Sequence, residues 1–308
     1  MERIKQRRVW LFALLGILAL GCVVAAVFFL RSRAADIDVS DIEIRTAYGD
    51  DVTAAEDICY RPGEKDTNCY MDVAYQQTGE AKPLMVCVHG GSWTSGQRSE
   101  LNSFLYTFSA EGYVVATIDY DLHPDTTLMG EVECVSDAVS YLVANAETYE
   151  IDSSNVVILG DSAGAQLALR FAEEYAADPE QYDFTITAAI DIFGPTDLEH
   201  LIYYCEGDTL TYFIEHPEIV DGTEDSDVIT EIHKFDVISN ISDDMMPVLI
   251  VHGTEDSTVP MTISDRFYKA LQEAGIEVQY ERIVGMTHSV QNDKLIPVCD
   301  AFLDEYVK

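Results

Sequence analysis

Gly160-Asp161-Ser162-Ala163-Gly164 sets one serine between two glycines in G-x-S-x-G spacing. The β-branched run Asn155–Leu159 precedes it and reads as a strand. Ala165–Glu174 follows and reads as a helix. Between such elements the pattern predicts a sharp turn with the serine at its tip. Glycines on both sides let the backbone turn without a Cβ clash, and the serine meets the positive end of the helix. A serine hydroxyl is a weak nucleophile until a base takes its proton. The base needs an orienting acid, and the oxyanion that forms needs donors. The chain is therefore searched for all three.

Seven histidines occur, at 89, 123, 200, 216, 233, 252 and 288. His288 alone falls late, in Gly285-Met286-Thr287-His288-Ser289, between the last strand pattern and the last helix pattern. That is the place of a base in Ser…Asp…His order. The acid is sought in His252-Gly253-Thr254-Glu255-Asp256, which follows an apolar strand. Asp256 is the choice. Glu255 should point elsewhere on a tight loop, Asp197 is the fallback, and His252 should be structural. For the oxyanion, His89-Gly90-Gly91-Ser92-Trp93 follows the apolar run Leu84–Val88. The expected donors are the N–H groups of Gly91, Ser92 and Ala163, with Trp93 lining the substrate site.

These residues need a scaffold. Strand patterns cover 42–48, 70–75, 84–88, 113–118, 155–159, 185–192, 248–251 and 278–283. Helical patterns cover 101–111, 132–146, 165–174, 263–274 and 294–306. Such alternation predicts an α/β fold with a mostly parallel sheet covered on both faces. No helix separates the first two strand patterns, so an antiparallel edge is expected. Residues 195–245 break the rhythm with aromatic and acidic residues and are expected to form a small helical cap.

The N-terminus differs from the rest. Val9 through Leu30 is uncharged, and as a helix it would span about 33 Å, enough to cross a bilayer. Arg3, Lys5, Arg7 and Arg8 precede it, against Arg31 and Arg33 after it, which predicts a cytoplasmic N-terminus. The expected organisation is a cytoplasmic tail (1–8), a transmembrane signal anchor (9–30), a tether (31–42) and an extracytoplasmic domain (43–308). The alternatives are a cleaved signal peptide, for which Ser32-Arg33-Ala34 is a poor site, and a lipoprotein signal ending at Cys22. The chain carries 18 basic and 55 acidic side chains, a formal charge of −37. Six of the bases and one acid lie in residues 1–33, which leaves 12 against 54, or −42, for residues 34–308. That excludes nucleic acid as a partner and disfavours anionic substrates. An exported domain could bridge Cys59 to Cys69. Cys87, in mid-strand, should be a core residue, and the sequence assigns no partner to Cys134, Cys205 or Cys299.

On these motifs the chain resembles the α/β-hydrolase-fold carboxylesterases of the H-G-G type, hormone-sensitive-lipase-like and acetyl- or feruloyl-esterase-like. The matching residues are His89-Gly90-Gly91-Ser92-Trp93, Gly112-Tyr113-Val114-Val115, Asp119-Tyr120-x-Leu122, Gly160–Gly164, His252-Gly253-x-x-Asp256-x-x-Val259-Pro260 and His288. The resemblance implies an eight-stranded sheet and hydrolysis of a small-molecule ester through an acyl-enzyme, with no metal or cofactor. The chain departs from the family pattern at Asp121, Ala165 and Ser92, which bears on the substrate and on no catalytic group. Amide hydrolysis (peptidase- or formamidase-like) on the same triad, and a non-catalytic binding module, are the competing readings.

Overall fold

The computed structural model describes residues 44–46, 51–64, 67–204, 216, 220 and 227–307. The tail, anchor and tether lie outside these residues, as do Cys22, Cys205 and much of the expected cap. Among the described residues no helix is long and apolar enough to cross a membrane.

The strands are β1 (Ile44–Thr46), β2 (Val52–Cys59), β3 (Tyr70–Gln76), β4 (Lys82–Val88), β5 (Val114–Ile118), β6 (Ile151–Asp161), β7 (Ile186–Ile192), β8 (Val248–Gly253) and β9 (Val278–Ile283). They form one sheet in the order β1-β2-β3-β5-β4-β6-β7-β8-β9. Pairing is antiparallel from β1 to β5 and parallel from β5 through β4 to β9. The antiparallel edge therefore lies at the start of the chain, as the missing crossover helix predicted.

The sheet has nine strands where eight were expected. The unforeseen strand is β2, Val-Thr-Ala-Ala-Glu-Asp-Ile-Cys. Its alternation is broken at Asp57, which takes φ 57°, where the register with β3 shifts between Ala55 and Ile58. A bulge of this kind spoils the period of two that identifies a strand.

The helices are α1 (Asn102–Ala110), α2 (Leu128–Ala144), α3 (Ala146–Tyr149), α4 (Ala163–Ala177), α5 (Leu198–Tyr204), α6 (Val228–Ile232), α7 (Met261–Ala274) and α8 (Asn292–Tyr306). One continuous core joins Phe104 and Phe108 of α1 and Cys299 and Phe302 of α8 to Met85, Cys87, Val157, Leu159 and Val251 of the sheet. The alternate strand residues Val86, Val88, Ile158 and Ile250 are equally buried. They face the opposite layer, to which α2, α4 and α7 bring Val135, Leu167 and Phe267. Burial on both faces is why the central strands are continuous apolar runs. Of the 195–245 segment, α5, α6 and the turn Val237–Ser239 are described. Within the segment Asp236 accepts the N–H of Leu198, and Asp197 pairs with Arg266 of α7, which ties the segment to the main body.

The core also encloses carboxyls. Glu131 and Asp191 are fully buried. Burial pushes Glu131 up to about 9, against the pull of the His123 N–H, and Asp191 up to about 6, against that of Gly194. In the unfolded chain both would ionise near pH 4. Above that pH the folded chain holds protons that the unfolded chain releases, so stability falls as pH rises toward 9. The excess negative charge acts in the same direction. The thermal midpoint should therefore be several degrees higher at about pH 5.5 than at about pH 8.5. Glu131→Gln should reduce that difference, as differential scanning calorimetry would measure.

Candidate active site

Parallel strands share a direction, so the loops after β4, β6, β8 and β9 leave the sheet at one edge. The H-G-G loop, Ser162, Asp256 and His288 each occupy one of those loops. Residues up to 199 positions apart in sequence, from His89 to His288, thus meet at a single place.

The turn after β6 is tightly constrained. Ser162 takes φ 51° and ψ −123°, outside the ordinary range of a non-glycine residue. Its N–H donates to Ile192 O (2.9 Å), and its own carbonyl accepts from Ala165 and Gln166 as α4 begins. The flanking glycines are required by contact. A Cβ on Gly160 would lie 2.4 Å from the Gly164 backbone, and one on Gly164 would lie 2.2 Å from Val88 O and 2.3 Å from His89 O. Helix α4 therefore starts against the end of β4, which places Ser162 beside the H-G-G loop.

His288 connects Ser162 to Asp256. Its Nε2 lies 2.8 Å from Ser162 Oγ and its Nδ1 lies 2.7 Å from Asp256 Oδ2. A carboxylate only accepts, so Nδ1 carries the hydrogen and Nε2 is left free to take the hydroxyl proton. Ser162 and His288 are half-buried, and the Asp256 side chain is fully enclosed. Burial raises the Asp256 carboxyl, but hydrogen bonds from His252, His288 and the Thr258 N–H outweigh it. They hold it well below the usual carboxylate range. Oδ1 accepts the N–H groups of Thr258 (2.9 Å) and Val259 (3.0 Å).

The two other acids considered lie elsewhere. Glu255 is exposed, and Asp197 caps the His200 N–H while it pairs with Arg266. His252 is buried and structural, as expected, and it touches the site. Its Nε2 is 2.9 Å from Val259 O and 3.3 Å from Asp256 Oδ2, while Nδ1 meets Ser264 Oγ at 2.7 Å. Both Nε2 partners are acceptors, so Nε2 carries the hydrogen and helps to seat Asp256. Phe193, which the sequence did not single out, packs its ring 4.6 Å from that of His288. Its φ of 44° is the only local sign of an unusual position, and φ is not legible in a sequence.

The H-G-G loop is held from three sides. Gly91, Ser92 and Trp93 all have positive φ, at 130°, 52° and 62°. The Gly91 carbonyl accepts from Thr94 and Ser95 and closes the turn. Gly90 N donates to Asp161 Oδ1 (3.0 Å), which gives the variable residue after Gly160 a role. Burial pushes Asp161 up to about 6, against that N–H. His89 stacks on Tyr120, whose hydroxyl donates to His89 O at 2.9 Å. The Trp93 indole N–H donates to Gln166 of α4, and Gln166 donates on to Phe235 O. The one polar atom of the Trp93 side chain is thus engaged by α4.

The cysteines depart from expectation. Cys59 and Cys69 are both free, and Cys69 instead faces Cys134, with 3.4 Å between sulfurs. Cys87 is a core residue as expected, its thiol pushed far above its ordinary range by burial.

A mostly parallel sheet with this turn at the end of a central strand, and with Asp256 and His288 on the loops after later strands, is the α/β-hydrolase fold. Residues 71–271 match the BD-FAE family, and the chain belongs to it. Among curated proteins, a probable isoprenylcysteine alpha-carbonyl methylesterase of Oryza sativa is 25% identical over 216 residues, covering 67% of this chain and 51% of that protein. Esterase LipQ of Mycobacterium tuberculosis is 27% identical over 244 residues, covering 76% of this chain and 56% of LipQ. The chain thus spans about half the length of these relatives. Among solved structures, esterase B from Lactobacillus rhamnosis has a TM-score of 0.69 at 18% identity, covering 95% of this chain and 92% of that one, which shows a shared fold.

The contact between Gly164 and β4 leaves no room for a methyl group. Gly164→Ala should cost about 2–3 kcal/mol through forced displacement of the β4 and α4 backbones. Urea unfolding followed by circular dichroism would measure it, and a loss below about 0.5 kcal/mol would contradict the contact.

Proposed function

We propose that this protein is a serine hydrolase acting on small neutral carboxylic esters. The observation that carries the reading is the continuous hydrogen-bonded path from Asp256 through His288 to Ser162, at 2.7 and 2.8 Å. Ser162 attacks the ester carbonyl as His288 takes its proton. Asp256 keeps the imidazole in the required tautomer and stabilises its cation. The N–H groups of Gly91, Ser92 and Ala163 bind the oxyanion. His288 then protonates the departing alcohol, and the acyl-enzyme is released by water that His288 activates.

Several observations favour a short neutral acyl group. The residue after Gly91 is a serine followed by the bulky Trp93, and the strong negative charge repels anions. The esterase Est2 of Thermogutta terrifontis, which shares the fold, binds butyrate, and a tributyrin phosphonate inhibits esterase B.

We also propose that Val9–Leu30 anchors the chain with its hydrolase domain outside the cytoplasm. The support is the apolar length and the basic flank. Retention in membranes after carbonate washing, with the domain open to external protease, is the expected outcome.

A fluorophosphonate probe should label the wild-type chain and leave Ser162→Ala unlabelled. That substitution should lower p-nitrophenyl acetate turnover at least about a thousand-fold. Labelling of folded Ser162→Ala at the wild-type level would refute the nucleophile assignment. Across p-nitrophenyl esters, kcat/KM should peak between acetyl and butyryl and fall for long-chain and feruloyl groups. A maximum at long chains would refute the narrow acyl site.

A further inference from the structure

Cys69 lies just before β3, and Cys134 lies in the first half of α2. Both are fully buried, and 65 positions separate them. Their sulfurs are 3.4 Å apart. Tyr60, Arg61 and Asp121 surround the pair. Asp121 Oδ2 lies 3.5 Å from Cys69 Sγ, and Arg61 Nη1 lies 3.7 Å from Asp121 Oδ2. Arg61 also bonds Asp137 of α2 through Nε at 2.7 Å.

We propose that Cys69 and Cys134 form a disulfide in the mature protein, which fastens the antiparallel edge of the sheet to α2. A bond of about 2.05 Å requires the sulfurs to close by about 1.4 Å. Cys69 belongs to a loop, which can supply that movement. A divalent metal on Cys69, Asp121 and Cys134 is the competing use, since the three ligand atoms cluster within 4.8 Å. The geometry disfavours it. Two thiolates on a tetrahedral zinc would stand about 3.8 Å apart, and such structural sites want four ligands. Asp121 is already engaged by the Asn68 N–H (2.7 Å), the Thr67 hydroxyl and Arg61.

The chemistry is thiol–disulfide exchange. One of the two thiolates displaces one thiolate from a disulfide donor, either a small-molecule disulfide or a thiol-oxidising exchange protein, and forms a mixed disulfide. The other cysteine loses its proton, attacks the protein sulfur of that mixed disulfide and expels the second thiolate. Two protein thiols are oxidised by two electrons, and the donor disulfide is reduced to two thiols. Because both sulfurs are buried in the folded chain, the exchange takes place during folding.

Formation in the cell rests on the proposed extracytoplasmic placement, so the test has two arms. The full chain is expressed in a bacterial host with its own N-terminus, denatured in N-ethylmaleimide, digested without reduction and mapped by mass spectrometry. Separately, the purified full chain is reduced, unfolded and refolded in oxidised and reduced glutathione. The expected result in both arms is a Cys69–Cys134 linked peptide with Cys59 alkylated. The thermal midpoint should drop by about 10 °C on reduction, a drop that the Cys69→Ala, Cys134→Ala double variant should not show. Linkage on refolding without linkage in cells would overturn the extracytoplasmic placement, and with it the disulfide in the mature protein, while showing that the pair itself can close. Free thiols in both arms, or a Cys59–Cys69 link, would overturn the disulfide. So would one equivalent of zinc held by the reduced refolded chain and lost with Cys134→Ala.

Discussion

The close approach of Gly164 to the backbone of Val88 and His89 is the contact on which the rest of the site depends. It sets the start of α4 against the end of β4. That fixes Ser162 at φ 51° and brings the Ala163 N–H, at the open end of the helix, beside the Gly90–Ser92 loop. Strain of this kind persists only where surrounding structure over-determines it. Here the Ser162 N–H is tied to β7 and its carbonyl to the first turn of α4. The side chain has little freedom left to lose when it meets a carbonyl carbon, which is the advantage of a preorganised nucleophile.

Electrostatics divides the carboxyls of this acidic chain into two groups. Asp256 receives donors on every side, from His288, His252 and two backbone N–H groups, and stays ionised despite its enclosure. Among the described residues Glu131 has one N–H donor and no cation at hydrogen-bond distance, so burial keeps its proton on at neutral pH, while Asp191, raised to about 6, holds its proton only in more acidic solution. The same side-chain chemistry thus supplies a fixed negative charge beside the imidazole and, in Glu131, a neutral filler in the core. The number of N–H groups aimed at each oxygen decides which. In the proposed mechanism, proton transfer from Ser162 to His288 would create an imidazolium, and Asp256 is the group placed to face it.

Much of the site was legible because its parts are local. Gly160–Gly164 and His89–Trp93 announce themselves by glycine at positions where a backbone must turn or approach closely. His288 followed from its place between the last strand and last helix. The parallel central sheet followed from apolar runs alternating with helical patterns. Other features were not legible. Strand β2 was hidden by its bulge at Asp57, which broke the alternation. The contacts of His252, Phe193 and Gln166 with Asp256, His288 and Trp93 join positions 4, 95 and 73 apart, and nothing in their local sequence marks them. Cys59 and Cys69 suggested a pair by proximity along the chain. In space Cys69 faces Cys134 of α2 instead.

By itself, the sequence determined the fold class, the family and the identities of the proposed nucleophile and base, and it ranked Asp256 ahead of Asp197 as the acid. Hydrophobic period, glycine spacing and chain order are local properties that survive in one dimension. Only the tertiary structure decided which carboxylate meets His288, which tautomer that histidine holds, and which cysteine faces which. Those outcomes depend on distances of about 3 Å between residues far apart in the chain, and such distances exist only once the parallel strands have brought their loops to one edge.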